Sequence, residues 1–306
     1  MRKFALALAL ILSGPACGPG VPPATSTLND NAITVASFEF PESIVRGEIY
    51  AQALEASGFN VARQLGIGPR ELVEPSLERG LVELVPEYAG SALEFLASGE
   101  GLATSDEELT HARLVEAFAD RGVDVLTPAP AQNRNGFAVT RATAARHGLE
   151  AISDLAAIDE DLAFGGPPEC RERALCLDGL ESTYGLQFAR FVTLDAGGPL
   201  TVSALSAGTV DVALLFTTDA AIVENDFVLL EDDRGLQPAE NVTPVVRDEV
   251  VERHGDRFVR VVDGVSRLIT TEELRALNAS VALEGASPER AAAAWLAEHG
   301  LLDARD

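Results

Sequence analysis

Leu77-Glu78-Arg79-Gly80-Leu81-Val82-Glu83-Leu84-Val85-Pro86-Glu87-Tyr88 has a counterpart about 128 positions later, Leu205-Ser206-Ala207-Gly208-Thr209-Val210-Asp211-Val212-Ala213-Leu214-Leu215-Phe216-Thr217-Thr218-Asp219. Each reads as a helix end, a glycine, an acidic residue, an apolar strand and then an aromatic residue with polar neighbours. Two similar α/β lobes facing each other would produce this repetition; chance similarity between two helix–strand units is the competing reading. In open α/β sheets ligands bind beyond the carboxyl ends of the strands. Tyr88 and Phe216 would then face one cleft.

Upstream, Ile33–Ala36 reads as a strand and Pro41–Ser57 as a helix stopped by Gly58. Phe59–Leu65 reads as a second strand, Pro69–Arg79 as a second helix, and Val82–Val85 as a third strand. This β-α-β alternation predicts a largely parallel sheet covered by helices. Downstream, Asp248–His254, Asp256–Leu268, Thr271–Leu283 and Pro288–His299 read as helices, the last with Ser287 at its cap and Pro288 in its first turn. Tyr50 within the first helix and the single Trp295 read as core.

The chain opens with basic Arg2 and Lys3, an apolar run Phe4–Leu12, then Ser13-Gly14-Pro15-Ala16-Cys17. That is the pattern of a secretory signal peptide over residues 1–17 ending at a lipid-accepting cysteine. The apolar run is too short to span a bilayer, which needs roughly 20 residues. Gly14 stands where such signals usually carry leucine, so simple secretion and a free Cys17 are the alternatives. Residues 18–31 are rich in proline, glycine and small polar residues and read as a flexible tether. The expectation is an exported protein of the cell envelope, anchored to the membrane by acyl chains on Cys17.

The 306 residues include 23 basic and 48 acidic side chains, a net charge of −25. Such a field excludes nucleic acid and anionic lipid as partners and tolerates a cationic solute. Lys3 is the only lysine, so no mature lysine can serve a Schiff base or a phosphate loop. Cys170 and Cys176, in an exported chain, read as a disulfide closing a small loop. A metal site is the competing reading, but no histidine lies nearby and two thiolates alone make a poor zinc site. His147, His254 and His299 each precede a glycine at a predicted helix end, where the helix dipole favours them, and His111 lies on a polar helix, expected to be exposed. No Gly-x-Ser-x-Gly elbow and no His-Glu-x-x-His occurs, and Gly66-Ile67-Gly68 lacks the third glycine of a dinucleotide fingerprint. Neither catalysis nor a cofactor or metal is expected.

Several segments together resemble the solute-binding proteins of ABC importers for glycine betaine, choline and related osmoprotectants. They are Ser37-Phe38-Glu39-Phe40-Pro41-Glu42-Ser43 with Glu48-Ile49-Tyr50, Leu84-Val85-Pro86-Glu87-Tyr88-Ala89-Gly90, and Pro128-Ala129-Pro130-Ala131-Gln132-Asn133 running to Phe137-Ala138-Val139. Further along come Gly165-Gly166-Pro167-Pro168-Glu169-Cys170 with Cys176-Leu177 and Tyr184-Gly185, the Asp211–Asp219 stretch, and Leu230-Glu231-Asp232-Asp233. The resemblance runs from about Ile33 to about Arg253. It implies a type II periplasmic-binding-protein fold, two α/β domains joined by two crossover segments, with lobe I over 32–133 plus 243–306 and lobe II over 134–242. It also implies a monomer that passes a small osmolyte to permease subunits driven by a separate ATPase.

Quaternary ammonium groups are held by aromatic faces, each worth on the order of 0.5–2 kcal/mol. The resemblance makes Tyr88 the first candidate, with Phe38, Phe40 and Phe216 as further walls. Family members often carry several tyrosines; here Asn135 follows the crossing, and Pro238-Ala239-Glu240-Asn241 stands where many have another. The box is thinned, which puts betaine itself in doubt. Gln132, Asn133, Asn135, Thr217 and Thr218 could hydrogen-bond a more polar solute, and Glu39 or Asp219 could face a cation. A sensory ectodomain on the same scaffold and a secreted enzyme are the alternatives.

Overall fold

The computed structural model describes residues 32–302; the leader, Cys17 and the tether lie outside the described residues. In chain order the first half holds β1 (Ile33–Ala36), α1 (Pro41–Ala56), β2 (Val61–Gln64), α2 (Arg70–Glu78), β3 (Leu84–Tyr88), α3 (Ala89–Leu96), α4 (Glu107–Phe118), β4 (Val123–Val125), β5 (Asn135–Thr140) and α5 (Arg141–His147). There follow β6 (Ala163–Gly166), α6 (Leu177–Gly179), β7 (Arg190–Thr193), α7 (Pro199–Ser206), β8 (Val212–Phe216), α8 (Ala220–Glu224), β9 (Phe227–Leu229), β10 (Val242–Arg247), α9 (Asp248–Ser266), α10 (Thr271–Ala282) and α11 (Pro288–Glu298).

Two five-stranded mixed sheets result, ordered β2-β1-β3-β10-β4 and β7-β6-β8-β5-β9. They share one plan. In the first, β1 runs parallel to β2 and β3, while β10 runs antiparallel to β3 and β4. In the second, β6 runs parallel to β7 and β8, while β5 runs antiparallel to β8 and β9. The antiparallel member of each sheet is the strand that follows a crossing between the sheets. The chain leaves the first sheet after β4 and returns to it at β10.

The repeated sequence element occupies the same place in both sheets, as α2–β3 and α7–β8. Gly80 and Gly208 turn the chain at φ 67° and 68°, which a side chain disfavours. The acidic residue after each glycine has a specific task. Glu83 accepts a hydrogen bond from Thr34 N at 2.5 Å, and its own N–H reaches Thr34 O at 2.9 Å. Asp211 does the same with Ala163, at 2.9 and 2.8 Å. Each carboxylate thus satisfies an amide at the start of the neighbouring parallel strand, where the ladder has not yet begun.

β3 begins two residues later than the sequence suggests and runs through Pro86 to Tyr88. Antiparallel pairing with β10, from Val246↔Leu84 to Val242↔Tyr88, extends it, and a strand so distant in sequence gives no local signal. Helix α1 is buried along most of its length and packs on α9, α10 and α11. Tyr50 and Trp295 are core residues, and the Tyr50 hydroxyl lies 2.9 Å from Ser266 Oγ, with burial pushing its pKa up to about 12. Gly255, at φ 61°, breaks α9 where the sequence separates two helices. Ser287 caps α11 through Arg290 N at 3.3 Å. His111 departs from expectation: it is half-buried, and its Nε2 donates to Leu126 O at 3.1 Å. Cys170 and Cys176 form the expected disulfide. Among the described residues no helix is long and apolar enough to cross a membrane.

Candidate functional site

Beyond the carboxyl ends of the parallel strands lies a cavity of about 610 Å³ lined by both lobes. The loop from β1 to α1 supplies Phe38, Glu39 and Phe40. It is pinned because Ser43 Oγ accepts from Phe38 N at 3.0 Å, while Ser37 accepts from Gly66 N through Oγ and from Ile67 N through its carbonyl. Tyr88 ends β3 and Phe216 ends β8, and both reach the cavity. Phe40 stands at the centre of the aromatic group. Its ring lies 5.9 Å from Phe38, 6.1 Å from Tyr88 and 5.0 Å from Phe216 across the cleft. Such spacing is that of ordinary aromatic packing.

Two of these rings already carry a cation. The Arg46 guanidinium lies 4.1 Å from the centroid of Tyr88 and that of Arg70 lies 4.9 Å from Phe38. Arg46 is fully buried; it donates to Pro86 O at 2.8 Å, and its Nε stands 3.9 Å from Glu42. Arg70 is held bidentately by Glu87 at 2.8 and 2.9 Å. Phe40 and Phe216 are half-buried and remain the rings with surface to offer.

Glu42 was not singled out from the sequence, yet it organises the back of the site. Its carboxylate is buried and accepts from Tyr88 OH at 2.5 Å, Asn133 Nδ2 at 2.9 Å, Thr218 Oγ1 at 2.5 Å and Asn278 Nδ2 at 2.7 Å. One side chain thereby joins β3, the first crossing, the second lobe and α10. Burial, and then the neighbouring Glu42 charge, hold the Tyr88 hydroxyl in its protonated form, well above its usual range, against the pull of Arg46.

The polar candidates divide. Asn133 and Asn135 line the cavity. Asn135 donates to Leu175 O at 2.9 Å, and Asn133 also accepts from Thr217 Oγ1 at 3.3 Å. Gln132, Thr217 and Thr218 lie outside the cavity lining. Gln132 donates to Glu107 and accepts from Arg134 and from Glu240 N; Thr217 accepts from Arg134 N; Thr218 is spent on Glu42. These three brace the crossing. Glu39 is exposed at the mouth, its carboxyl raised by burial and by the charge of Glu169. Asp219 also stays out of the lining and accepts from Phe216 N at 2.7 Å; burial pushes it up to about 7.

Other lining residues carry no local sequence signal. Glu240 lies on the return crossing, 2% exposed, and accepts from Ser91 N at 3.0 Å and Ser91 Oγ at 2.5 Å. Burial pushes it up to about 7. The crossing comes this close because Gly90 has no side chain: a Cβ there would stand 2.5 Å from Pro238 Cγ and 2.7 Å from Ala239 O. Arg173, from the loop between the disulfide cysteines, pairs with Glu71 of the first lobe at 2.8 Å. Carboxylates outnumber arginines around the cavity, and both lining arginines, Arg70 and Arg173, are engaged by protein carboxylates. The site is therefore an aromatic recess with an acidic surround, suited to a small cation-bearing solute.

The family model for the substrate binding domain of ABC-type glycine betaine transport systems matches residues 31–298. A glycine-betaine-binding protein of Pseudomonas aeruginosa is 30% identical over 275 residues, covering 86% of each chain. The glycine betaine-binding protein YehZ of Escherichia coli is 26% identical over 268 residues, 85% of this chain and 88% of the relative. A crystal structure described as a glycine betaine/carnitine/choline ABC transporter shares the fold at a TM-score of 0.69 and 22% identity, over 89% of this chain and all of the other. With two like-ordered sheets, two crossings and an aromatic cavity between them, the chain belongs to the family of substrate-binding domains of ABC-type glycine betaine transport systems.

Proposed function

We propose that this protein captures a small quaternary ammonium or zwitterionic osmolyte, of the glycine betaine or choline type, and delivers it to ABC permease subunits driven by a separate ATPase. It works as an exported monomer, held at the envelope by acyl chains on Cys17, and performs no chemistry on its ligand. Residues 32–133 with 243–306 form one lobe and 134–242 the other. The carrying observation is the aromatic group Phe38, Phe40, Tyr88 and Phe216, contributed by both lobes to one acid-rimmed cavity. In this reading Phe40 and Phe216 face the ammonium group. Phe38 and Tyr88 stand behind them, Glu39 adds charge at the mouth, and Asn133 and Asn135 meet the polar end of the solute. Gln132, Thr217 and Thr218 act indirectly, by holding the crossing that carries Asn133.

Calorimetric titration with choline, glycine betaine, carnitine, ectoine and proline tests it. Micromolar binding of an ammonium compound, weakened in Phe40→Ala, is expected. Binding of proline or ectoine alone would keep the capture role and replace the ligand class, and binding of none would overturn the osmolyte reading.

A further inference from the structure

The disulfide encloses Arg171-Glu172-Arg173-Ala174-Leu175, and this loop is one of the parts of the second lobe that confront the first at the cavity. Its own lobe grips it from behind. Leu175 O accepts from Asn135 Nδ2 and from Gln237 Nε2, both at 2.9 Å. Gly179 packs so tightly beneath it that a Cβ there would stand 2.0 Å from Ala174 O. In front, Arg173 reaches α2 of the first lobe: Nη2 donates to both Glu71 oxygens at 2.8 and 3.0 Å, and Nε donates at 3.3 Å. Ala174 Cβ approaches to 3.4 Å from where a Cβ on Gly99 would be. Glu169 stands 3.9 Å from Arg173, and Glu39 faces the same pair.

We propose that Arg173 is a positioning residue that latches the two lobes through Glu71, and that the Cys170–Cys176 bond holds its loop in the shape that brings the guanidinium to its partner. A planar guanidinium needs a set orientation to bond both oxygens of one carboxylate. A loop closed by a covalent bond samples few shapes, so little freedom is lost when the pair forms. An ion pair this exposed does little for folding. It forms only when the lobes approach, however, so its whole free energy bears on the balance between open and closed states. Ligand release, which requires opening, inherits that effect. Only this last consequence rests on the cavity being the osmolyte site.

The test compares the wild type with Arg173→Gln, Arg173→Glu, Glu71→Arg, the charge-exchanged pair Glu71→Arg/Arg173→Glu, and Cys170→Ser/Cys176→Ser. Small-angle scattering of the ligand-free protein reads lobe opening without any ligand. Stopped-flow release of choline and glycine betaine reads retention. The expected result is a larger radius of gyration in each single-site variant and in the serine variant, with Arg173→Glu largest because it adds charge beside Glu169 and Glu39. The charge-exchanged pair should return towards the wild type. Release should quicken by roughly two- to fivefold in Arg173→Gln. An unchanged radius in Arg173→Glu, or no recovery in the charge-exchanged pair, would overturn the latch. An unchanged radius in the serine variant beside an enlarged one in Arg173→Gln would overturn the role given to the disulfide. If scattering responds as expected while neither choline nor betaine binds, the latch stands and the osmolyte reading falls.

Discussion

Tyr88 and Phe216 end equivalent strands of two sheets built on one plan, yet their surroundings differ. Tyr88 is 6% exposed, its hydroxyl bonded to Glu42 and its ring beside the Arg46 guanidinium. Phe216 is half-buried, its backbone N–H bonds to Asp219, and its ring meets Phe40 across the cleft. Two residues further on, the first lobe has Gly90, against which the return crossing lies, and the second has Thr218, which donates to Glu42. A repeated α/β unit therefore yields one strand end locked by charge and another held by packing. The locked end is tied to Glu42 and Arg46, and the packed end leaves ring surface at the cavity.

The largest effect should come from removing the lock. Glu42→Ala leaves Tyr88, Asn133, Thr218 and Asn278 without their shared acceptor and Arg46 without its nearest carboxylate. Breaking a buried charge network of this kind costs about 3–5 kcal/mol. Urea unfolding would measure it, and a loss below about 1 kcal/mol would mean that the network is not what holds the back of the site.

Next is Gly90→Ala. The added methyl would meet Pro238 Cγ and Ala239 O at 2.5 and 2.7 Å, and the second contact is with backbone, which cannot swing aside. Overpacking of this sort costs about 1–3 kcal/mol. Because the displaced crossing carries Glu240, affinity should fall as well. Unfolding midpoint and titration on one preparation check both, and an unchanged midpoint would show that the crossing yields.

Asp219 gives the second lobe a pH dependence of its own. Its folded pKa, raised to about 7 chiefly by burial, exceeds the usual value of 3.8. Between about pH 4 and pH 7 the unfolded chain has lost this proton while the native state keeps it, so stability from this group falls as pH rises through that window. Below the window both states are protonated, and above it both are ionised. The shift of about three units corresponds to at most roughly 4 kcal/mol, and partial exposure reduces that to about 2. Asp219→Asn, whose amide oxygen can still accept from Phe216 N, should flatten this part of the decline. Denaturation at pH 5 and pH 8 would measure the difference between variant and wild type, and equal slopes would remove the group from the account.

Much of this architecture is written locally. The glycine, the acid and the apolar strand of each repeat lie within a few residues, so Gly80–Tyr88 and Gly208–Phe216 disclose the shared plan. The strand-end positions of Tyr88 and Phe216 come from the same pattern, while the loop Phe38-Glu39-Phe40 is marked by its resemblance to the family. What stayed hidden joins distant segments. Glu42 meets Asn278 across 236 positions, Arg173 meets Glu71 across 102, and Ser91 meets Glu240 across 149. Each of these polar residues has an ordinary surface role in its own neighbourhood, and only folding gives it a partner. Gln132, Thr217 and Thr218 illustrate the converse: local polarity suggests ligand contacts, and the partners that folding supplies are Glu107 for Gln132, Arg134 N for Thr217 and Glu42 for Thr218.

Phe216→Ala is the smallest change and the most direct test of the comparison. If the packed strand end is the one that meets the solute, truncating it should spare the fold and harm binding. The ring is half-buried and its backbone N–H stays bonded to Asp219, so unfolding should move little. One aromatic face on an ammonium group is worth about 0.5–2 kcal/mol, or roughly two- to thirtyfold in affinity. Tyr88→Ala should show the opposite balance, because it also removes one of Glu42's donors and uncovers Arg46, so its affinity loss would come with a loss of about 3–5 kcal/mol in stability. The informative quantity is thus the ratio of affinity loss to stability loss for the two alanines, from titration and urea unfolding. A high ratio for Phe216 and a low one for Tyr88 would fix the division of labour between the two strand ends. Equal ratios would mean that the charge lock leaves Tyr88 as available to the solute as Phe216.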